Sequence, residues 1–400
     1  AEKSGFFEKA NQWLKNSVTI RLITIGVLIL LMLIPVSMVQ DIIREREYRH
    51  QEAIREVSSK WGDAQVITGP VLTIPYYNYS KVYDDDSKYK LVRSREFAHF
   101  LPEELVVNGT LEPKELSRGI YDIVVYNGAL DLEGSFSRPS FDEWEVKDSD
   151  IMWDDAHLTF GLTDLRGIQE KVAVEWSDTS IEFNPGVEST DVISSGISAK
   201  VPLARNDSIG KGHQFRISIQ FNGSSSLYFT PIGKTTNVTV SSGWGSPKFT
   251  GAFLPDDREV NKEGFSANWK VLHLNRPYPQ SFRGAARYMA ESDFGVELIV
   301  PVDEYQKSMR SAKYAVMFIT LTFLIFFFIQ ILNKVRVHPV QYLIVGLALC
   351  VFYTLLIALS EHIPFRWSYV IAAVSIIIMI TLYAHNIAKS IAITRLILSI

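Results

Sequence analysis

Two short clusters bring together residue types that do chemistry. Asp164-Leu165-Arg166-Gly167 sets a carboxylate two residues from a guanidinium, a pair that can hold an anionic ligand or a sugar through charge-assisted hydrogen bonds. The simpler use of the same residues is an ion-paired turn capping a strand. Glu361-His362 puts an acid beside an imidazole, with Pro364 and Arg366 close by in sequence. Such a pair at a membrane boundary can relay protons or respond to pH, or it can anchor a short solvated loop. Other signatures are missing. The eight histidines are scattered without a His-x-x-x-His pair, which removes the usual zinc spacings. There is no Gly-x-Ser-x-Gly elbow, and the one cysteine, Cys350, falls inside an apolar run. Gly243-Trp244-Gly245 lacks the strand-to-helix setting of a phosphate loop and reads as a turn. The residues therefore predict no catalytic, metal or cofactor centre. Asp164, Arg166, Gly167, Glu361 and His362 remain as candidate interaction residues.

The elements that would position them are set out by hydropathy. A bilayer core of about 30 Å is crossed by about 20 apolar helical residues. Leu22 to Val39 is such a run, preceded by Lys3, Lys9, Lys15 and Arg21, and Ser37 to Gln40 offers no small-x-small cleavage site, so it reads as an uncleaved anchor. Further runs cover Tyr314 to Leu332, Gln341 to Leu359 and Ser368 to Ala384. A fifth opens at Ile391 and the sequence stops inside it, which predicts a longer parent protein with at least one more crossing. Lys and Arg flank the spans on the side of the amino end, which places that end in the cytoplasm and residues 40–312 outside. That outer segment holds 30 Lys and Arg against 41 Asp and Glu, a balance that excludes nucleic acid as a partner.

The outer segment has no cysteine and is large enough to hold itself by a hydrophobic core. Val71 to Ile74, Tyr121 to Val125, Phe215 to Phe221, Leu227 to Phe229, Phe265 to Leu272 and Val296 to Val302 predict short strands. Asn108-Gly109, Asn127-Gly128 and Asn222-Gly223 predict hairpin turns between them. Phe100-Leu101-Pro102-Glu103-Glu104 is echoed by Phe253-Leu254-Pro255-Asp256-Asp257, each leading into a β-rich stretch, which suggests two related β-units. Before them, Ile43, His50, Ile54, Val57 and Trp61 recur at helical spacing and predict a helical stalk. The organisation expected is a mixed membrane protein: tail and first span at 1–40, stalk at 41–62, a sandwich-like β-rich periplasmic domain at 63–312, and a helical bundle at 313–400.

Longer stretches point to a family. Arg310 to Ala315, His338-Pro339-Val340-Gln341-Tyr342-Leu343-Ile344-Val345-Gly346-Leu347 and Leu359-Ser360-Glu361-His362, with Gly69 to Pro75, Leu101-Pro102-Glu103 and Asp164 to Ile168, resemble the CreD family of bacterial inner-membrane proteins. The resemblance implies one amino-terminal anchor, a large periplasmic domain and clustered carboxy-terminal spans, in a protein of cell-envelope integrity and colicin tolerance. It implies no catalytic residues. The expectation is a non-enzymatic scaffold or interaction module in contact with the bilayer and with an envelope protein partner or a second copy as homo-oligomer. The alternative is a membrane-linked carrier or enzyme acting on a lipid or glycan at the periplasmic membrane face.

Overall fold

Val18–Trp61 forms one unbroken helix, α1, of 44 residues. At 1.5 Å per residue it is about 66 Å long, twice the hydrocarbon thickness of a bilayer. In this computed structural model, which describes residues 18–83, 89–119, 121–203, 212–285, 288–299, 304–332 and 337–388, the chain divides into two compact units. One is Ala1–Glu52 with Val302–Ile400, the other Ala53–Pro301. The predicted run at Ile391 lies outside the described residues.

The first unit contains most of α1 with α2 (Glu304–Lys313), α3 (Ala315–Leu332), α4 (Pro339–Ser360) and α5 (Phe365–Ala388). Among the described residues four helical stretches are long and apolar enough to cross a membrane. Ile25, Leu28, Met32, Val36, Val39 and Ile43 recur every three or four residues, so they share one face of α1. That stripe is buried in a common core with Ile319, Phe323, Tyr353 and Leu356. Close approach depends on Gly346: a Cβ there would stand 2.7 Å from the Met32 sulfur and 3.0 Å from the Phe323 ring. His338 starts α4 as N-cap, its ring nitrogen accepting from the Val340 N–H, with Pro339 in the first turn where a missing N–H costs nothing.

The second unit is a two-sheet β structure. In chain order its strands are β1 (Gln65–Tyr83), β2 (Tyr89–Phe100), β3 (Glu104–Arg118), β4 (Tyr121–Phe136), β5 (His157–Leu162), β6 (Ala173–Trp176), β7 (Thr179–Glu182), β8 (Asn184–Pro185), β9 (Gly196–Lys200), β10 (His213–Ser224), β11 (Ser226–Phe229), β12 (Thr235–Ser242), β13 (Pro247–Gly251), β14 (Asp257–Asn261), β15 (Gly264–Leu272), β16 (Ser281–Arg283) and β17 (Phe294–Leu298). One sheet runs β13-β17-β11-β1-β5-β9-β8, with β2 beside β1 and β16 beside β2; the other runs β14-β15-β12-β3-β4-β10-β6-β7. Alternation supplies the core between them. In β15 every second residue, Phe265, Ala267, Trp269 and Val271, is buried while its neighbours face water. These residues meet Leu72, Ile74, Phe160 and Phe294 of the first sheet in one large cluster.

The Asn-Gly expectation fails. All three pairs lie inside strands: Asn108-Gly109 in β3, Asn127-Gly128 in β4, Asn222-Gly223 in β10. Their glycines serve space rather than turning. A Cβ on Gly109 would stand 2.7 Å from the Leu130 side chain, and one on Gly128 would stand 2.7 Å from the Phe221 ring.

The echoed motif, in contrast, marks a repeat of topology. Both copies end at the entrance to a hairpin of the second sheet, β3–β4 or β14–β15. The first sheet contains two antiparallel triplets, β13-β17-β11 and β1-β5-β9, joined by a parallel pair, β11 with β1. The second contains β14-β15-β12 and β3-β4-β10, again joined by a parallel pair, β12 with β3. One half of the sandwich reads β11, β12, β13, β14, β15, β17. Its counterparts in the other half are β9, β10, β1, β3, β4, β5, which is the same cycle entered at a different point.

Candidate functional site

Asp164 caps a single 3-10 turn, Leu165–Gly167, its Oδ1 accepting from the Arg166 N–H at 3.1 Å. The Arg166 guanidinium forks onto the same carboxylate, Nε to Oδ1 at 2.8 Å and Nη2 to Oδ2 at 2.9 Å. Two more of its N–H groups reach the helix end: Nη1 donates to the Ser59 carbonyl at 2.6 Å and Nη2 to Asp63 Oδ2 at 3.2 Å. Ser59 is in the last turn of α1, where carbonyls lack helical partners and the dipole favours a cation. The Asp63 N–H donates to Asp164 Oδ2 at 3.0 Å. Beneath, the buried Gln65 amide accepts from the Asp164 N–H at 3.1 Å and donates to the carbonyls of Asp164 and Asn222 at 3.2 and 3.1 Å. Gly167 and Gly62 both back onto that Asn222 carbonyl, where neither could carry a side chain.

These residues form a clamp on the end of α1, not a turn capping a strand. The last turns of the helix complete it, with Ala53, Ile54, Val57 and Trp61 packed on Ile123, Val125 and Leu116. Burial works against ionisation of Asp164, but the guanidinium and the two backbone N–H groups outweigh it and hold the carboxyl below the usual carboxylate range. Glu361 and His362 divide. Glu361 Oε1 stands 3.3 Å from Nε of Arg46 on α1, whereas His362 is exposed and its backbone N–H donates to the Leu359 carbonyl at 3.0 Å. The acid is thus engaged by an arginine rather than by the imidazole.

Composition gave no hint of a third array. Thr73 and His99 face each other across β1 and β2, Thr73 Oγ1 to His99 Nδ1 at 3.0 Å, and His99 Nε2 stands 3.4 Å from Asp191 Oδ2. The order hydroxyl, imidazole, carboxylate is that of a nucleophile, base and orienting acid. At 3 % and 1 % exposure, however, Thr73 and His99 admit no substrate. Burial pushes the His99 pKa down against the pull of Asp191. The unfolded chain takes up a proton as pH falls through about 6.5, while the folded chain resists it. Stability of the β unit therefore falls with pH in the window below about 6.5, by at most about 1.4 kcal/mol per pH unit. Thermal melts of wild type and His99→Gln between about pH 7 and pH 5 check this. The variant should show the shallower slope, and parallel slopes would remove His99 as the source.

The family described as Inner membrane protein CreD matches residues 17–400. The chain belongs to the CreD family. The Inner membrane protein CreD of Escherichia coli (strain K12) is 34% identical to it over 369 residues, covering 90% of this chain and 79% of that one. CreD membership makes it an inner-membrane protein, and the four apolar helices bring it into contact with lipid.

In this CreD family member a β-ribbon extends from the first sheet. Past Tyr76, β1 continues with β2 as its only ladder partner among the described residues, through Asn78 paired with Ser94 to Val82 paired with Lys90. Glu96 fixes its base, accepting from Tyr76 OH at 2.8 Å and Asn78 Nδ2 at 2.7 Å. Because paired residues share a face, Tyr77, Tyr79 and Lys81 stand with Leu91, Arg93 and Arg95. The Arg93 guanidinium lies 3.2 Å over the Tyr77 ring, and Lys81 Nζ lies 4.9 Å over Tyr89. Arg95 pairs with Glu188, whereas Lys81, Lys90 and Arg93 have no carboxylate partner among the described residues. Tyr79, Tyr89 and Leu91 are 48 %, 57 % and 57 % exposed. In the sequence these residues look like an ordinary amphipathic strand pair, and only the pairing shows that beyond Tyr76 neither outer edge carries a further strand among the described residues, Tyr79 OH donating to Asp150 Oδ1 at 3.1 Å.

Proposed function

We propose that the protein is a non-enzymatic envelope module: its amino end is cytoplasmic, its β unit is periplasmic, and the β1–β2 ribbon docks an envelope protein partner. The ribbon carries this reading. Open edges offer main-chain donors and acceptors to an added strand, and the tyrosine and arginine face supplies the residue types that dominate interface energetics. A photo-crosslinking residue at Tyr79 should give an adduct of defined mass in cells. Lys81→Glu with Arg93→Glu should abolish it with only a small change in melting temperature, because both side chains are exposed and their ring contacts are of the weak, solvated kind. An adduct insensitive to that double change, or none, removes the ribbon from the account, and an adduct at twice the chain mass identifies the partner as a second copy. Orientation has its own test. Lys81→Cys in a Cys350→Ser background should react with a membrane-impermeant maleimide in intact spheroplasts; labelling only after permeabilisation would reverse the topology.

A second reading, a carrier or enzyme handling a lipid or glycan, draws on a cleft of about 350 Å³ among α3, α4 and α5, walled by Phe318, Phe326, Phe352, Tyr369 and Ile376. Its apolar walls suit an acyl chain. Ala373→Phe would fill the cleft, and an unchanged envelope phenotype in that variant would end this reading.

A further inference from the structure

A second cleft in the membrane unit, about 500 Å³, is lined by Arg21, Thr24, Ile25 and Leu28 of α1, Gln330 of α3, Val337 and His338, and Pro339 and Tyr342 of α4. It differs from the apolar cleft in being divided between a polar end and an apolar floor. Tyr342 OH donates to Gln330 Oε1 at 3.1 Å, both side chains being buried, which leaves the Gln330 amide N–H groups as what that residue offers the cleft. His338 Nδ1 accepts from the Val340 N–H at 3.3 Å. The neutral imidazole therefore carries its proton on Nε2 and presents a donor. Thr24 donates to the Ile20 carbonyl at 2.9 Å, and the described residues that line the space include no carboxylate. The polar end is thus a set of donors around one guanidinium, beside the positive end of the α4 dipole.

The level of the cleft narrows the ligand. Arg21 immediately precedes the apolar run that opens at Leu22, Gln330 lies two residues from the end of α3, and His338 directly precedes α4. All three stand where hydrocarbon gives way to headgroups. A donor-rich rim over Ile25 and Leu28 at that depth matches a phosphodiester whose acyl chains run along the helices.

We propose that this cleft is a binding site for an anionic phospholipid, its phosphate held by Arg21, His338 and Gln330. The lipid is a resident of the bundle, and the site stands independently of the ribbon and of any cargo. The test is native mass spectrometry of the full chain in mild detergent, titrated with phosphatidylglycerol or phosphatidylcholine. Phosphatidylglycerol should be retained in preference, and Arg21→Gln should weaken its retention about tenfold, the size expected for losing a charge-assisted hydrogen bond. Should Arg21→Gln fail to insert, His338→Asn keeps an N-cap while removing the Nε2 donor and should weaken retention in the same direction. Inorganic phosphate at matched concentration separates the sources: failure to compete identifies a lipid, and full displacement identifies a free phosphate site instead. Equal retention of the two lipids, or retention unchanged in His338→Asn together with any Arg21→Gln protein that inserts, overturns the proposal.

Discussion

Asp164→Ala is expected to lower the stability of the β unit by about 3 kcal/mol, far more than an exposed-charge substitution on the same surface. The change strips acceptors from two backbone N–H groups, those of Asp63 and Arg166, and unlocks the guanidinium that caps α1 at Ser59. Arg166→Ala should cost clearly less than Asp164→Ala, because its side chain is 60% exposed and the carboxylate keeps both backbone donors. The double variant should be little worse than Asp164→Ala alone, the signature of two residues in one clamp. Pulse proteolysis of the full chain in detergent with urea measures all three. Asp164 has its carboxyl held below the usual range, so its stabilisation is present above the unfolded pKa of about 3.9 and is lost as pH falls through the folded value. The deficit of Asp164→Ala should accordingly shrink in strong acid. If the pair instead served a ligand, both variants would unfold like wild type while the envelope phenotype failed.

The second large effect belongs to a glycine. Gly223→Ala should destabilise the β unit by about 3 kcal/mol, and Gly128→Ala by a similar amount. Across the β4–β10 ladder Phe221 opposes Gly128 and Gly223 opposes Tyr126, so each glycine is covered by an aromatic ring from the other strand. The two rings meet edge to face at 6.2 Å. Tyr126 is fully buried and its hydroxyl donates to the Ser226 carbonyl at 2.8 Å, so the ring cannot move aside without breaking that bond. Gly186→Ala is the contrast: nothing lies within 4 Å of its Cβ, and only the positive φ of 100° is strained, for about 1 kcal/mol. Urea midpoints that rank Gly186→Ala at or below Gly223→Ala would contradict the packing argument.

These glycines also show where the sequence was legible. The spans could be read because the bilayer imposes a length on them, and α3 and α4 match the apolar runs to within one or two residues. Asn-Gly says only that positive φ is tolerated, and whether a turn or a ring uses the glycine depends on a strand elsewhere. The Asp164 cluster was visible as a cluster, but Arg166 meets Ser59 across a separation of 107 residues, and His99 meets Asp191 across 92. No local pattern encodes such partners. Glu361 and His362 are adjacent in sequence yet diverge in the turn that follows α4, where Glu361 faces Arg46 of α1 and His362 is exposed.

The paired triplets of the sandwich have one more consequence. Where two halves are related by a sidestep along the sheets rather than by closure, nothing in the operation itself tells the array to stop, and a third block could be added at either flank as in a solenoid. Termination has to be written into the flanks. On one side β14 places Asp257, Arg258 and Glu259 in water at the sheet margin, and β13 opens with Pro247 and Lys248. On the other, the short β6–β7 and β8 end the two sheets within four residues or fewer. Charge, proline and brevity are the means by which natural sheets refuse further strands, and here they act as end-caps on a two-block polymer.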